Sequence, residues 1–358
     1  MTWRDLGSPP TGTLPLSITV VGSDVLLGTE SGLFRRPLDG SAEWSPSGLE
    51  QEGVVALRVS PTQPERVVAS VAGIAHPPGA TPGDPPPVAI TFPDAPPIRW
   101  STDGGRTWTR SGEELRWPDV EPPSYDYAAD LAFTPDGRRL FANYANSLLE
   151  STDGGRTWTW RDGAPGAAGY PCHLAATNDH VWQGCELGLD IARIDSFELT
   201  PNGVGPRVEV IGWDELGNRR PNSMTVSAAD PGDVWVGVEG ALLRLSADTE
   251  PEWLFRGADT TDEYAYVRGV WLDPCDRDHL VFGGNLQYGN SSLWLAESFD
   301  DGASHVRQSP PPGVTAREWR IAAMTTPAVA ATDLVLAIET WSADVRSARV
   351  LVRSHARR

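Results

Sequence analysis

Four glutamates recur in one local context: Gly28-Thr29-Glu30, Gly184-Cys185-Glu186, Gly237-Val238-Glu239 and Ala337-Ile338-Glu339. Carboxylates repeated around one rim can bind a cation or a polyhydroxyl ligand, and a pair of them can act as general acid and base. The same residues also serve simply to solvate the start of a loop. The slot holds Asn285 in one repeat and Asn146 or Ala145 in another. A second set is aromatic: Tyr127, Tyr170, Tyr266 and Trp319. Beside carboxylates such rings can stack sugars or other ring ligands, or they can fill space between layers. A third set is polar and falls at the start of apolar strands: Asp130, His173, Asn222, Arg268 and Arg320. Two arginines can hold a carboxylate or phosphate bidentately, and Asp130 can orient His173 for proton transfer. The catalytic reading therefore falls on Asp130, His173, Glu186 and Glu239, and the ligand-binding reading on Glu30, Glu339, Tyr127, Tyr170, Tyr266, Trp319, Asn222, Arg268, Arg320 and Asn285. The competing reading is a water-filled channel with internal ion pairs.

The chain has no lysine, so lysine Schiff-base or general-base chemistry is excluded. Its three cysteines show no zinc spacing, and neither a metal nor a cofactor is expected. Cys172 and Cys185 would lie opposite each other if Asn178-Asp179 forms a two-residue turn, within reach of a disulfide. In a cytoplasm they are expected as two thiols. Cys275 falls in a turn.

The elements that must position these residues are set by a repeat. Ser-Thr-Asp-Gly-Gly-Arg-Thr-Trp-Thr occurs at 101–109 and again at 151–159. A period of fifty residues points to a propeller, a solenoid or an array. Decayed copies keep the spacing at Pro37, Asp39 and Trp44, at Ser246, Asp248 and Trp253, and at Ser298, Asp300 and Gly302, where His305 replaces the tryptophan. Each unit reads as four strands, A to D, with a Pro/Asp/Gly turn after strand A and the box on strand C. The blades are expected at 14–49, 54–112, 128–163, 170–212, 221–257, 265–311 and 319–358. The last lacks strand D, and residues 1–8, with Trp3, read as that missing strand. The expected architecture is all-β: a single seven-bladed propeller whose ring is closed by the N-terminal strand, so that no sheet edge is left open.

Residues 101–108 resemble the Asp-box, or BNR repeat, Ser-x-Asp-x-Gly-x-Thr-Trp. With Gly-Leu-Phe-Arg at 32–35, the single-propeller layout most resembles proteins related to the photosystem II stability/assembly factor. Sialidases, xyloglucanases and sortilin are more distant members of the group. Phe34-Arg35-Arg36-Pro37 is similar to the sialidase Phe-Arg-Ile-Pro signature, but the repeat already accounts for it, and the sialidase arginine triad and Tyr/Glu pair cannot be assembled here. The resemblance implies a box that serves the C–D turn, and ligands held on the opposite face, where the D–A and B–C loops emerge. Two long segments fall on that face. One is the Pro/Gly-rich insertion 76–97, expected to lack regular structure, and the other is 113–127.

The formal net charge of −19 argues against nucleic acid or an anionic membrane as partner. No apolar run approaches the roughly 20 residues of a spanning helix, and no leader is visible, so a cytoplasmic location is expected. Two functions remain. One is a scaffold that binds a protein, a small molecule or a glycan on the long-loop face. The other is a glycoside hydrolase-like or lyase-like enzyme using the rim carboxylates with His173 and Asp130.

Overall fold

The computed structural model describes residues 2–10, 14–75, 88–90, 97–111, 128–144, 147–163, 172–188, 191–217, 219–256, 265–286, 292–314, 319–325, 333–340 and 348–354. Within them, seven antiparallel sheets follow one another along the chain. The inner strands A are Pro15–Val21, Gly53–Val59, Ala128–Phe133, Cys172–Ala176, Pro221–Val226, Ala265–Leu272 and Trp319–Thr325. Each touches the inner strand of the next blade, and the seventh touches the first, so the sheets form a ring. Strands B to D step outward from them. In the third blade these are Leu140–Tyr144, Ser147–Ser151 and Thr159–Asp162. The chain is a seven-bladed β-propeller.

The two-residue period of a strand explains the stacking. In the third blade Leu140, Ala142 and Tyr144 face the second blade and pack on Ala56, Val68 and Ile98. The intervening Phe141 faces the fourth and packs on Leu174, Val181 and Phe197. Both faces of each blade are thus core. A fully buried side chain such as Phe141 contributes roughly 1.5–3 kcal/mol.

Closure occurs in the seventh blade. Thr2–Asp5 pairs antiparallel with Ala348–Ser354, Trp3 lying opposite Arg353. The Leu6 amide then donates to the Val350 carbonyl at 2.8 Å, and the Leu6 side chain is fully buried. In the second blade the expectation of an irregular insertion is corrected: strand B runs on to Ala75, and Val88–Ile90 pairs back onto Gly73–Ala75. The alternating small and β-branched run of strand B simply extends the hairpin. The rest of 76–97 lies outside the described residues.

The duplicated box builds a hydrogen-bonded turn. Asp103 Oδ1 accepts the amides of Arg106 and Thr107, each at 2.9 Å, and Oδ2 accepts the Thr107 hydroxyl at 2.6 Å. Ser101 Oγ accepts the Gly105 amide at 2.8 Å, and Gly105 has φ +82°, which suits glycine. Trp108 Nε1 donates to the Ser47 carbonyl of the preceding blade at 3.0 Å, so the box also ties blades together. Asp153 repeats the pattern, and Asp300 keeps one amide and the hydroxyl, both from Ser304.

Six of the seven inner strands carry a β-bulge at one equivalent position, between Pro15 and Ser17, Val54 and Ala56, Ala128 and Asp130, Pro221 and Ser223, Val267 and Gly269, and Ile321 and Ala323. A bulge re-aims the extra residue. Five of the six bulged residues, Leu16, Val55, Asn222, Arg268 and Ala322, line the axial cavity. The fourth blade has an unbulged A–B ladder, and there Cys172 lies opposite Cys185.

Candidate functional site

The recurrent glycine before the strand-B glutamates has a packing cause. A Cβ on Gly28 would sit 2.6 Å from the Val54 carbonyl, and one on Gly237 would sit 2.4 Å from the Val267 carbonyl. At that point the bulged inner strand of the next blade crosses strand B, and only a very small residue leaves room. The Gly-x-Glu pattern therefore reports close approach of backbone as much as it reports a glutamate.

The axial cavity holds about 500 Å³ and runs from the bulge ring to the A–B turns, all seven inner strands contributing. Asp130, His173, Asn222 and Arg268 line it, as does Arg58, a residue the sequence reading did not single out. Its signal was a lone cation inside the apolar strand Val55-Ala56-Leu57-Arg58-Val59.

Asp130 is buried, and its carboxylate is committed. Arg58 Nη2 donates to Oδ1 at 2.6 Å, as does the Leu131 amide at 2.8 Å, and the Leu174 amide donates to Oδ2 at 3.1 Å. Burial opposes ionisation, yet the Arg58 charge, His173 and the Leu174 amide outweigh it and hold the pKa below the usual carboxylate value. Asp130 thus stitches three consecutive inner strands together as an anion. The Nδ1 of His173 lies 3.7 Å from Oδ2, an ion-pair distance longer than a hydrogen bond.

Arg268 is anchored through Nε, which donates to Asn285 Oδ1 at 2.6 Å, and its guanidinium lies 5.5 Å from the centre of the Tyr266 ring. Asn222 is fixed by a 3.1 Å bond from Nδ2 to the Arg220 carbonyl. Arg320 pairs across the sheet with Glu339, before the bulge, so Ala322 takes the slot that Arg268 fills in the sixth blade.

The rim glutamates do not stand apart. Arg220 Nη1 is 3.1 Å from Glu186 Oε1, and its Nε is 4.0 Å from Glu239 Oε1, so one guanidinium bridges the fourth and fifth blades. Glu339 is buried and Glu30 half-buried. Tyr266 and Trp319 are buried as well, Trp319 within the sixth–seventh blade core, so neither offers an open ring face. Tyr127, Tyr170, Ala145 and Asn146 lie outside the described residues.

Cys172 and Cys185 are joined by a disulfide, correcting the expectation of two thiols. The directly opposed register brings their Cα atoms to 4.2 Å. Cys275 is free and exposed.

A second polar cluster escaped the sequence reading. His279 is buried, with Nδ1 3.0 Å from Asp273 Oδ2 and Nε2 2.9 Å from Glu297 Oε1. Glu297 also accepts from Arg353, which lies opposite Trp3 of the closing strand. Desolvation alone would lower the His279 pKa, but the two carboxylates raise it. Glu297 and Arg353 join Asp273 and His279 from other strands, so no local pattern announces the cluster. Among the described residues no group of His, Cys, Asp and Glu side chains is placed to hold a metal ion, and no helix is long and apolar enough to cross a membrane.

The fold and the axial cavity together define a closed seven-bladed β-propeller with a polar-walled channel. No protein-family model and no curated protein matches the chain. Solved structures do. YCF48 bound to D1 peptide is similar at 12% identity with TM-score 0.60, over 99% of this chain and 98% of that one. The extracellular domain of BT4673 from B. thetaiotaomicron is similar at 12% identity and TM-score 0.59, over 99% of this chain but 40% of its own. An ancestral GH74 enzyme is similar at 13% identity and TM-score 0.51, over 92% of this chain and 53% of its own. At such identities the likeness is one of fold.

Proposed function

We propose that this chain is a binding scaffold that engages a protein or peptide segment on the face formed by its D–A and B–C loops. The observation that carries this reading is the commitment of the carboxylates. Asp130 is tied to Arg58 and to two backbone amides, and Glu186 and Glu239 share Arg220. Glycoside hydrolysis needs two carboxyl groups, one of them a proton donor, flanking an open sugar site. Neither the bridged glutamates nor buried Tyr266 and Trp319 supply one. The full-length likeness to YCF48, which is described bound to a peptide, fits the same reading.

Panning a random peptide library against the wild-type protein and against a variant with residues 76–97 replaced by a short Gly-Ser link tests it. Peptides retained by the wild type and lost by the variant are expected, with unchanged thermal unfolding. Retention of no peptides, or equal retention by both proteins, overturns the reading. Release of sugar from a glycan panel by the wild type supports the enzymatic alternative.

A further inference from the structure

One tryptophan differs from the rest. Trp213 is 59% exposed, and no other tryptophan among the described residues is exposed. It lies in the D–A connection from the fourth blade to the fifth, as the first residue of a single helical turn, Trp213–Leu216. The turn is anchored. The Leu216 amide donates to the Gly212 carbonyl at 3.0 Å and the Gly217 amide to the Trp213 carbonyl at 2.7 Å. The Leu216 side chain is fully buried in the core between the two blades. Folding therefore holds a large apolar ring in water, which is unfavourable unless something covers it.

Several other tryptophans carry an arginine of the chain itself. Arg256 lies 4.2 Å from the centre of the Trp253 ring, Arg156 4.7 Å from that of Trp100 and Arg244 5.7 Å from that of Trp235. Trp213 has no such cation among the described residues. Its surroundings are acidic instead. Asp214 and Glu215 follow it and are exposed, and Glu209 lies against the turn, where a Cβ on Gly212 would sit 2.8 Å from its Oε1. Among the described residues none of these three carboxylates is ion-paired. The nearby arginines are engaged elsewhere. Arg219 lies over Trp253 at 5.8 Å and donates to the Leu216 carbonyl at 3.3 Å, and Arg220 is 3.1 Å from Glu186. An indole face beside carboxylates attracts a cation, and a guanidinium or ammonium on an aliphatic stem suits both.

The geometry points to a basic peptide as the partner, with an arginine or lysine side chain laid on the Trp213 indole and paired to Asp214, Glu215 or Glu209. This inference rests on the reading of the loop face as a peptide-binding surface and adds the partner's charge and its anchor. The formal net charge of −19 acts in the same direction, because it steers basic segments toward the chain and repels anionic lipid and a second copy of the protein.

Two displayed peptide libraries test it on the whole chain, one containing Arg and Lys but no Asp or Glu, the other the reverse. The wild type is expected to enrich the basic library at least about tenfold over the acidic one. A retained basic peptide, labelled and titrated, should bind Trp213→Ala about tenfold more weakly. It should bind Trp213→Phe, which keeps an aromatic face, within about threefold of wild type. The Asp214→Asn/Glu215→Gln double variant should bind it about fivefold more weakly and with a shallower salt dependence. These side chains are exposed, so thermal unfolding is expected to be unchanged. Retention of peptides with no basic preference, or undiminished binding by Trp213→Ala, overturns this inference and leaves the reading of the face standing. Retention of no peptide from either library overturns both. Adsorption to phosphatidylcholine vesicles, or a dimer in sedimentation, that Trp213→Ala abolishes assigns the indole to lipid or to a second copy and also overturns the inference.

Discussion

Cys172 and Cys185 face each other across the inner hairpin of the fourth blade and are covalently joined, in the one inner strand of the seven whose pairing with strand B is unbulged among the described residues. A bulge at that point would displace one cysteine from the other. The disulfide and the unbulged ladder therefore go together, and both place His173 one residue along on the channel wall. Closing a loop of sequence separation 13 is expected to stabilise the fold by about 3 kcal/mol. Oxidised protein unfolded without reductant should show one titratable thiol, from Cys275. Paired Cys172→Ser and Cys185→Ser substitutions should lower the denaturation midpoint by an amount consistent with that figure. A count of three thiols would refute the bond.

The box aspartates separate by what they bond. Asp103 receives two amides and a hydroxyl, and these contacts hold its pKa well below the usual value despite partial burial. Among the described residues Asp248 makes no such side-chain bonds, in contrast to Asp103. Asp103→Ala should cost about 2 kcal/mol, whereas Asp248→Ala should fall within about 0.5 kcal/mol of wild type. Urea titrations of the two variants make the comparison.

His279 gives the ring a pH dependence. Its folded pKa is raised, so the stability it contributes is complete below its ordinary value of 6.5 and is lost as pH rises through the folded value. Glu297, depressed by His279 and Arg353 against the pull of desolvation, contributes above its ordinary 4.5 and loses that contribution as pH falls through its folded value. The pair is fully charged between these limits. His279→Ala should cost about 3 kcal/mol at pH 6, because it leaves Glu297 and Asp273 buried beside a cavity. It should also flatten the stability curve above neutral pH, as read from urea midpoints at pH 6, 7.5 and 9.

Asp195 acts with a different origin. It is buried in the fourth blade, where desolvation dominates the attraction of Arg193 at 2.8 Å and lifts its pKa to about 6. A raised carboxylate favours the folded state in its protonated form. Stability therefore falls as pH rises from its ordinary value of 3.8 through about 6. Asp195→Asn should remove that slope between pH 4 and 7, measurable in the same titrations.

Strand order, blade number and ring closure were legible because each is local or periodic. The box recurs at fixed spacing, the strands alternate, and Thr2–Asp5 carries the same Trp-Arg pattern as other outer strands. The channel wall was half legible. Asp130, His173, Asn222 and Arg268 were found, because a polar side chain in an apolar strand stands out. Arg58 was missed although it is a lone cation in an otherwise apolar strand. Arg268 is itself the bulged residue of its strand whereas Arg320 lies two residues before the bulged Ala322, an offset that composition does not mark.

Period-2 patterning and turn chemistry are properties of neighbours along the chain, and from them the residues alone determine an all-β ring of seven blades. Partnership is a property of neighbours in space. Only the folded ring shows that Asp130 is bound by blades on both sides, that Arg220 bridges Glu186 and Glu239, and that His279 lies between Asp273 and Glu297 beside the closing strand. Long-range contacts and register decide those charges, and they turn a list of reactive side chains into a set of braces around one polar-and-apolar channel.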